Sequence, residues 1–218
     1  MSSAASPVIL SLTPGRAATK RAFFGSLISD RPEEPNHEGR GVHPVQRRRE
    51  RREAAVGAAA QRHGVAEVNF TFEGHNDART RGIRVLTEPE LKQGDVNLHY
   101  VSRLMHREYR DTRLFRRVLQ SIWHQVNNGL EVFVVGRILE DGTVKGGTGW
   151  GAEFAKLCNK PLYVFDQVRG HWSRWNGDEW EECGPPTVTQ PRFTGTGTRF
   201  LEQAGARAID ELFARSFR

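Results

Sequence analysis

The sequence predicts an α/β protein in which a Rossmann-like, mostly parallel sheet is flanked by helices. An apolar run of strand length, residues 130–138, precedes the glycine-rich stretch 145–153, after which apolar residues recur at helical spacing. A second short run, residues 161–166, has no polar interior position, which is typical of strands covered on both faces. A Trp-rich β-hairpin and a disordered N-terminal tail complete the predicted architecture.

Length and composition favour one domain with a tail, and we place the boundary between residues 1–44 and 45–218. Hydrophobic residues make up 37% of the 218 positions, with 12 Phe and 5 Trp, which is enough for a closed core. No apolar run approaches the roughly 20 residues that a membrane-spanning helix needs. We therefore expect a soluble protein that does not contact membranes.

The N-terminal tail is rich in Ser, Ala, Pro and Gly, a composition that predicts disorder. Its first 29 residues contain no acidic residue but do contain Arg16, Lys20 and Arg21, as organellar transit peptides do. A plain flexible tail has the same composition. We expect an intracellular, cytoplasmic protein and leave organellar import open as the alternative.

The net charge of +6 is concentrated near the N-terminus, since residues 1–63 contain 11 Lys or Arg against 6 Asp or Glu. A helix is predicted over residues 46–63, beginning with the basic arm between Arg47 and Arg52. Such a cluster can make a weak contact with nucleic acid or form a solvated helix face, and both interpretations stay open.

The next elements alternate between strand and helix. Residues 67–72 predict a strand, and the polar residues Glu73 and His75 follow its carboxyl end, where α/β sheets bind ligands. A plain turn fits the same residues. Asp95 and Thr112 are predicted to cap two helices, the second with an apolar stripe that ends before Gly129.

The glycine-rich stretch is the first candidate ligand site. Glycines let a backbone approach a ligand closely, and the first turn of the following helix favours a phosphate or carboxylate. A simple reversal of the chain is the alternative. Neither GxGxxG nor the GK[ST] ending of a Walker loop is present. The predicted ligand-binding residues here are Gly146, Gly147, Thr148, Gly149, Trp150 and Gly151.

Two further polar groups follow later strands. Asp166 and Gln167 stand at the carboxyl end of residues 161–166, again on the ligand side. A second turn of small residues precedes the final helix, and a nucleotide needs backbone donors from several neighbouring loops. The predicted ligand-binding residues of this turn are Gly195, Thr196, Gly197, Thr198 and Arg199.

Between these groups, Asn176-Gly177 indicates a hairpin with a two-residue turn that sets Arg174 opposite Glu179. Trp175 and Trp180 then share one face, and Trp172 takes the other. The tryptophans either cap the core or form a stacking wall for a base or sugar.

The only cysteines, Cys158 and Cys183, are typical of an intracellular protein with reduced thiols. A zinc site needs more ligands than these, so the sequence predicts no metal site. No cofactor is predicted either.

Five motifs occur in order: Glu-Gly-His at 73–75, Gly-Gly-Thr-Gly-Trp at 146–150, Tyr-Val-Phe-Asp-Gln at 163–167, the Trp-rich hairpin and Gly-Thr-Gly-Thr-Arg at 195–199. In this combination the chain resembles an uncharacterised branch of the SLOG superfamily. These Rossmann-like domains include the cytokinin-activating phosphoribohydrolases and the DNA-processing protein A fold. The resemblance covers residues 64–218 and implies nucleotide-type ligands above the strand ends.

The phosphoribohydrolase signature has the form Pro-Gly-Gly-x-Gly-Thr-x-x-Glu. The resemblance implies Glu153 as the candidate catalytic residue, at the glutamate position of the signature. The partner arginine of that family follows a Met-x-x-Arg-Lys pattern, and the nearest counterpart here, Met105-His106-Arg107, lies far upstream. Lys145 and Trp150 stand where the signature has Pro and Thr.

Three functions follow as hypotheses. The first is a sensor or effector module that binds a nucleotide-like small molecule. The second is a hydrolase of N-glycosidic bonds in nucleotides, with Glu153 at the reacting centre. The third is an interaction protein that uses its basic arm. A homo-oligomer is compatible with all three.

Overall fold

The computed structural model describes residues 8–11, 21–25, 55–75, 80–96, 98–109, 111–198 and 200–217. Within these ranges the strands are β1 (Val8–Ser11), β2 (Arg21–Gly25), β3 (Glu67–Phe72), β4 (Ile83–Leu86), β5 (Glu131–Gly136), β6 (Leu162–Asp166), β7 (His171–Trp175), β8 (Trp180–Cys183) and β9 (Arg192–Gly197). The helices are α1 (Ala55–Arg62), α2 (Glu88–Gln93), α3 (Leu98–Leu104), α4 (Arg113–Asn128), α5 (Thr148–Leu157) and α6 (Gln203–Ser216).

The α/β class is confirmed, but the sheet is mixed, so the prediction of a mostly parallel sheet is wrong. The strands lie in the order β4-β3-β1-β2-β9-β5-β6-β7-β8. Strand β5 is parallel to β9 and β6, whereas β7 is antiparallel to both β6 and β8. Short turns connect β6, β7 and β8, and a short turn cannot make the crossover that a parallel pair requires.

The sheet separates two layers of apolar side chains, and β5 contributes to both. Val132 and Val134 pack in the layer formed with α4 and α5, whereas Phe133 and Val135 pack in the layer formed with α1 and α6. Successive strand residues point to opposite faces. Burial on both faces explains why residues 132–135, at the centre of the predicted run, are continuously apolar.

The predicted helix after residue 112 is confirmed. The Thr112 side chain accepts a hydrogen bond from Phe115 N at 3.2 Å and so caps α4, which ends before Gly129. Asp95, the other predicted cap, instead accepts a hydrogen bond from Gln120 Nε2 at 2.8 Å, and α3 begins at Leu98.

Neither β4 nor α2 was predicted. The N-terminus of α2 carries a complete capping box, in which Thr87 and Glu90 satisfy each other's backbone N–H groups. That pattern is visible in the sequence and could have revealed the helix. The predicted helix over residues 46–63 is described only as α1, and the arm between Arg47 and Arg52 lies outside the described residues.

The Trp-rich hairpin is confirmed, but its predicted register is wrong. Trp175 pairs with Trp180, and Arg174 pairs with Glu181 rather than Glu179. Trp175 and Trp180 lie on one face as predicted, and Trp172 is buried in the opposite layer.

The register differs because the hairpin connection has four residues instead of two. The Asn176 side-chain oxygen accepts hydrogen bonds from Asp178 N and Glu179 N at 2.9 and 2.8 Å. An Asn side chain that accepts hydrogen bonds from the backbone of the next residues forms a turn. This turn includes residues 176–179, so the strand pair next to it is Trp175 with Trp180.

The direction of winding reverses around β9. From β2 the chain proceeds through α1 to β3, whereas on the other side of β9 it proceeds from β5 through α5 to β6. The strands β2, β3, β4, β9, β5 and β6 are linked only by parallel pairs, so their carboxyl ends meet at one edge. We call this edge the carboxyl edge.

Two of the strands, β1 and β2, fall within the predicted disordered tail. Strand β2 is parallel to both β3 and β9 and joins the two parts of the sheet. Five residues with no regular alternation gave no clear strand signal in the sequence. The rest of residues 1–44 lies outside the described residues, and the domain boundary at residue 45 stays a prediction.

A chain that begins at Val45 tests the role of β2. Its removal leaves backbone groups of β3 and β9 without their parallel partner, so we expect the melting temperature by circular dichroism to fall by several degrees. A chain that begins at Val8 keeps both strands and is the control. Equal melting temperatures for all three chains would show that the N-terminal segment is dispensable.

Candidate functional site

The carboxyl edge gathers most of the predicted site residues. Glu73 follows β3, Gly136 ends β5, Asp166 ends β6 and Thr198 follows β9. Four separate parts of the sequence thus meet along one edge of the sheet. Open α/β sheets bind their ligands at the corresponding edge.

The first candidate, the glycine-rich stretch, is mostly helix rather than turn. Gly147 is the N-cap residue of α5, and only Gly146 has the left-handed backbone of a turn, with φ of 74°. Residues 148–155 are buried. The predicted extent of the turn is therefore wrong, because the chain becomes helical at Thr148.

Two backbone N–H groups in the first turn of α5 already have hydrogen-bond partners. Gly149 N donates to Gly146 O at 3.1 Å, and Trp150 N donates to Gly147 O at 3.0 Å. These two N–H groups are therefore not free for a ligand. No side chain caps α5, and its first turn contains no acidic residue.

Arg107 holds the segment that leads into α5. Its guanidinium donates hydrogen bonds to Val144 O and Gly146 O, both at 2.5 Å. It reaches this segment from a bend after α3, where His106 has a left-handed backbone with φ of 50°. Sequence reasoning noticed Arg107 but did not connect it with the glycines, because 39 residues separate Arg107 from Gly146.

Gly149 is required by packing. A Cβ atom at this position would lie 2.2 Å from Val144 O and 2.7 Å from Met105 Cε. A Cβ atom at Gly151 would make ordinary contacts, 3.8 Å from Ile122 Cγ2. Packing therefore requires glycine at position 149 but not at position 151.

Glu153, the tentative catalytic residue, belongs to a buried cluster under the hairpin. Its Oε1 lies 2.9 Å from Lys156 Nζ, an ion pair whose angle does not meet hydrogen-bond geometry. The Lys156 ammonium lies 4.0 Å from the ring centre of Trp175 and 5.2 Å from that of Trp180. Trp180 Nε1 and Lys156 Nζ both donate to Gly142 O, at 2.8 and 3.2 Å.

This cluster assigns the hairpin tryptophans to packing. Their rings cover the Lys156 ammonium, a favourable cation–π arrangement, and Trp180 is fixed to the loop before α5. Of the two predicted roles, capping the core agrees with these contacts.

Asp166 is almost fully buried and ties β6 to β5. Its carboxylate accepts hydrogen bonds from Ile138 N at 3.1 Å, Val168 N at 2.9 Å and Arg169 N at 3.2 Å. The Arg169 guanidinium lies 3.7 Å from the same carboxylate. These bonds define a positioning role for Asp166 between two loops.

Gln167 connects the end of β6 with the start of α6. Its side-chain oxygen accepts a hydrogen bond from Glu202 N at 2.8 Å, and its backbone N donates to Gly136 O at 2.9 Å. A Cβ atom at Gly205 would lie 2.3 Å from this side-chain oxygen, so the glycine makes room for the bond.

The second predicted turn is largely strand. Residues 195–197 belong to β9, and Thr198 N continues the ladder by donating to Val135 O at 3.0 Å. The Thr198 hydroxyl accepts a hydrogen bond from Phe200 N at 3.1 Å. Arg199 lies outside the described residues.

The polar triplet after β3 forms a turn at the carboxyl edge. His75 N donates to Phe72 O, and the His75 ring lies 4.6 Å from the Phe72 ring centre. His75 Nδ1 is 3.2 Å from the Thr71 hydroxyl, whereas Glu73 is exposed.

A pocket of about 550 Å³ opens above the carboxyl ends of β5 and β6. We call it the β5–β6 pocket. Its lining residues come from the loops after the two strands: Arg137, Ile138, Leu139, Glu140, Asp141, Asp166, Val168 and Arg169. Only Asp166 was predicted as a site residue. Arg137 and Arg169 gave no sequence signal beyond their position after apolar strands.

The charge of Asp141 is fixed by its own loop. Hydrogen bonds from the Thr143 hydroxyl and the Thr143 N–H lower the pKa of Asp141 below its usual value. The carboxylate therefore stays ionised and holds the tip of the loop between β5 and α5.

Neither cysteine forms a disulfide bond, and burial raises the pKa of both Cys158 and Cys183. Among the described ranges, no group of three or more His, Cys, Asp or Glu side chains is arranged to hold a metal ion. No described helix is long and apolar enough to cross a membrane.

Comparison with known proteins identifies no relative. No family model matches the chain, and no curated protein or solved structure matches it either. The resemblance to the SLOG superfamily therefore stays a prediction that rests on the motifs themselves.

The two glycines of α5 give a matched test. Gly149→Ala should destabilise the fold by about 1–3 kcal/mol, since the new methyl group meets backbone. Gly151→Ala should be neutral or stabilise the fold by up to about 1 kcal/mol, because alanine is the better helix former. Urea unfolding measures both, and equal effects would contradict the close approach at Gly149.

The ion pair under the hairpin gives a second test. Lys156→Met should destabilise the protein by about 3 kcal/mol, because it leaves the Glu153 carboxylate buried without its partner. Adding Glu153→Gln to the same chain should restore most of that loss. Denaturant unfolding of the single and double variants measures the coupling, and additive losses would contradict it.

Proposed function

We propose that the chain binds a nucleotide or nucleotide-derived ligand at the carboxyl edge, as a sensor or effector module. The observation that carries the proposal is the start of α5, which enters the carboxyl edge through Gly146 and Gly147 with no capping side chain. An uncapped helix N-terminus carries a partial positive charge that favours phosphate.

Two other helix starts differ in this respect, since side chains of Thr87 and Thr112 cap α2 and α4. The start of α6 also has no side-chain cap, although Gln167 accepts the N–H of Glu202 there. At the start of α5, the Arg107 guanidinium instead donates to the backbone oxygen of Gly146, so a cationic side chain contacts this segment. This contrast supports a ligand at α5 rather than at the capped helices.

The winding of the sheet supports the same location. Strand order reverses around β9, and the small residues Gly195, Thr196 and Gly197 lie in that strand beside β5. Ligands of Rossmann-like sheets bind where the order reverses, above the strand ends. The motif resemblance to nucleotide-binding SLOG domains agrees with this interpretation.

The proposal is for binding rather than glycosidic cleavage. Glu153, the residue on which cleavage would depend, pairs with Lys156 and does not line the β5–β6 pocket. The basic arm on which an interaction function would depend lies outside the described residues.

A thermal-shift series with AMP, cyclic AMP and ADP-ribose tests the proposal. A nucleotide present at 100 times its dissociation constant should add about 2.7 kcal/mol of apparent stability. If none of the three raises the melting temperature of the wild-type chain, the proposal is wrong.

Gly147→Asp locates the ligand. The backbone at Gly147, with φ of −66° and ψ of −22°, lies in the right-handed helical region that L residues adopt without strain, so the fold should persist. The new carboxylate would gain about 0.3–1 kcal/mol from the helix dipole while occupying the place of the anion. We expect binding to be lost in Gly147→Asp and largely retained in the uncharged control Gly147→Asn. Nucleotide binding that survives in both variants would place the ligand elsewhere.

A further inference from the structure

The β5–β6 pocket presents charged groups that the fold itself does not use. The Arg137 side chain forms no hydrogen bond or ion pair with any residue that the structure describes, and the same is true of Glu140. Arg169 has only the long contact of 3.7 Å with Asp166, and about half of its side chain is exposed. Two guanidinium groups and one carboxylate are thus available to a ligand.

The other acidic residues of the pocket are occupied. Three backbone N–H groups donate to Asp166, and both donors of Thr143 bond to Asp141. Hydrogen-bond donors around a carboxylate offset part of its negative charge. The side-chain donors in the pocket therefore belong to Arg137 and Arg169, and arginine forks match phosphate geometry.

Size and location also suit a small phosphorylated molecule. A volume of about 550 Å³ is within the range of ligand pockets, and the pocket lies at the carboxyl edge. Lys145 N, in the segment that leads into α5, donates to the backbone oxygen of Arg137 at 2.8 Å. Val168, with 65% of its surface exposed, supplies an apolar contact at the rim.

Resting on the proposed function, we propose that the β5–β6 pocket binds the sugar-phosphate part of the nucleotide. Arg137 and Arg169 contact the same phosphoryl oxygens that the start of α5 binds. Glu140 accepts hydrogen bonds from the sugar hydroxyls. Asp166 is a positioning residue, because it holds the backbone of both loops that carry these side chains.

Arg137 is assigned to the phosphate and Glu140 to the sugar hydroxyls, so ribose 5-phosphate and inorganic phosphate serve as probes that distinguish the two roles. Isothermal titration calorimetry of the full chain at low salt measures both affinities. Arg137→Glu should weaken ribose 5-phosphate binding by roughly 10- to 100-fold, with a smaller loss in Arg137→Lys. Glu140→Ala should weaken ribose 5-phosphate binding without weakening phosphate binding.

Arg207→Glu is the matched control, since it makes the same charge change on an exposed position of α6 that does not line the pocket. An equal loss in this control would show a net-charge effect and overturn the inference. AMP titrations separate this inference from the proposed function. If AMP binds wild type and Arg137→Glu equally, the pocket assignment is wrong while nucleotide binding stands. If wild type binds neither AMP nor ribose 5-phosphate, both fail.

Discussion

The buried Asp166 carboxylate is the contact on which the carboxyl edge depends. It accepts hydrogen bonds from the backbone of the loops that follow β5 and β6. One comes from Ile138 after β5, and two come from the turn at Val168 and Arg169 after β6. Parallel strands do not share a turn, so the loops that follow them need a tertiary contact to stay together. A carboxylate that bonds three backbone N–H groups supplies that contact and fixes the walls of the pocket above it.

The segment that enters α5 is constrained in a comparable way from the opposite side. Arg107 binds two of its carbonyl oxygens, Trp180 and Lys156 bind a third at Gly142, and Gly149 allows the helix to lie against Val144 O. These contacts come from a bend after α3 and from the β7–β8 hairpin. A loop held from several directions presents its remaining donors in a fixed geometry, which is what ligand binding without reorganisation requires.

Glycines and buried polar residues at this edge therefore have two separable explanations. Gly149, Glu153, Asp166 and Gln167 have structural partners that account for them without a ligand. No side chain caps α5 at Gly147, the Arg137 side chain has no partner among the described residues, and Arg169 has only the long contact with Asp166. The proposals rest on this second group, because side chains and backbone groups that the fold does not use are the ones left for chemistry.

The sequence by itself determined the α/β class, the strand at residues 67–72, the Thr112-capped helix and the faces of the hairpin tryptophans. Each of these depends on local chemistry, namely the period of apolar residues or a capping side chain. Those signals extend over a few neighbouring residues and are read without knowledge of the fold.

Only the tertiary structure decided the features that join distant segments. Strand direction in β7 and β8, the hairpin register, the place of β2 in the sheet and the contact of Arg107 with Gly146 had no local signal. The glycine-rich stretch looked like a turn because its composition allows one. It is helical from Thr148 because burial against α4 and β5 offsets the cost of ordering the backbone as a helix. The residues that form this partner surface lie outside any local window of sequence.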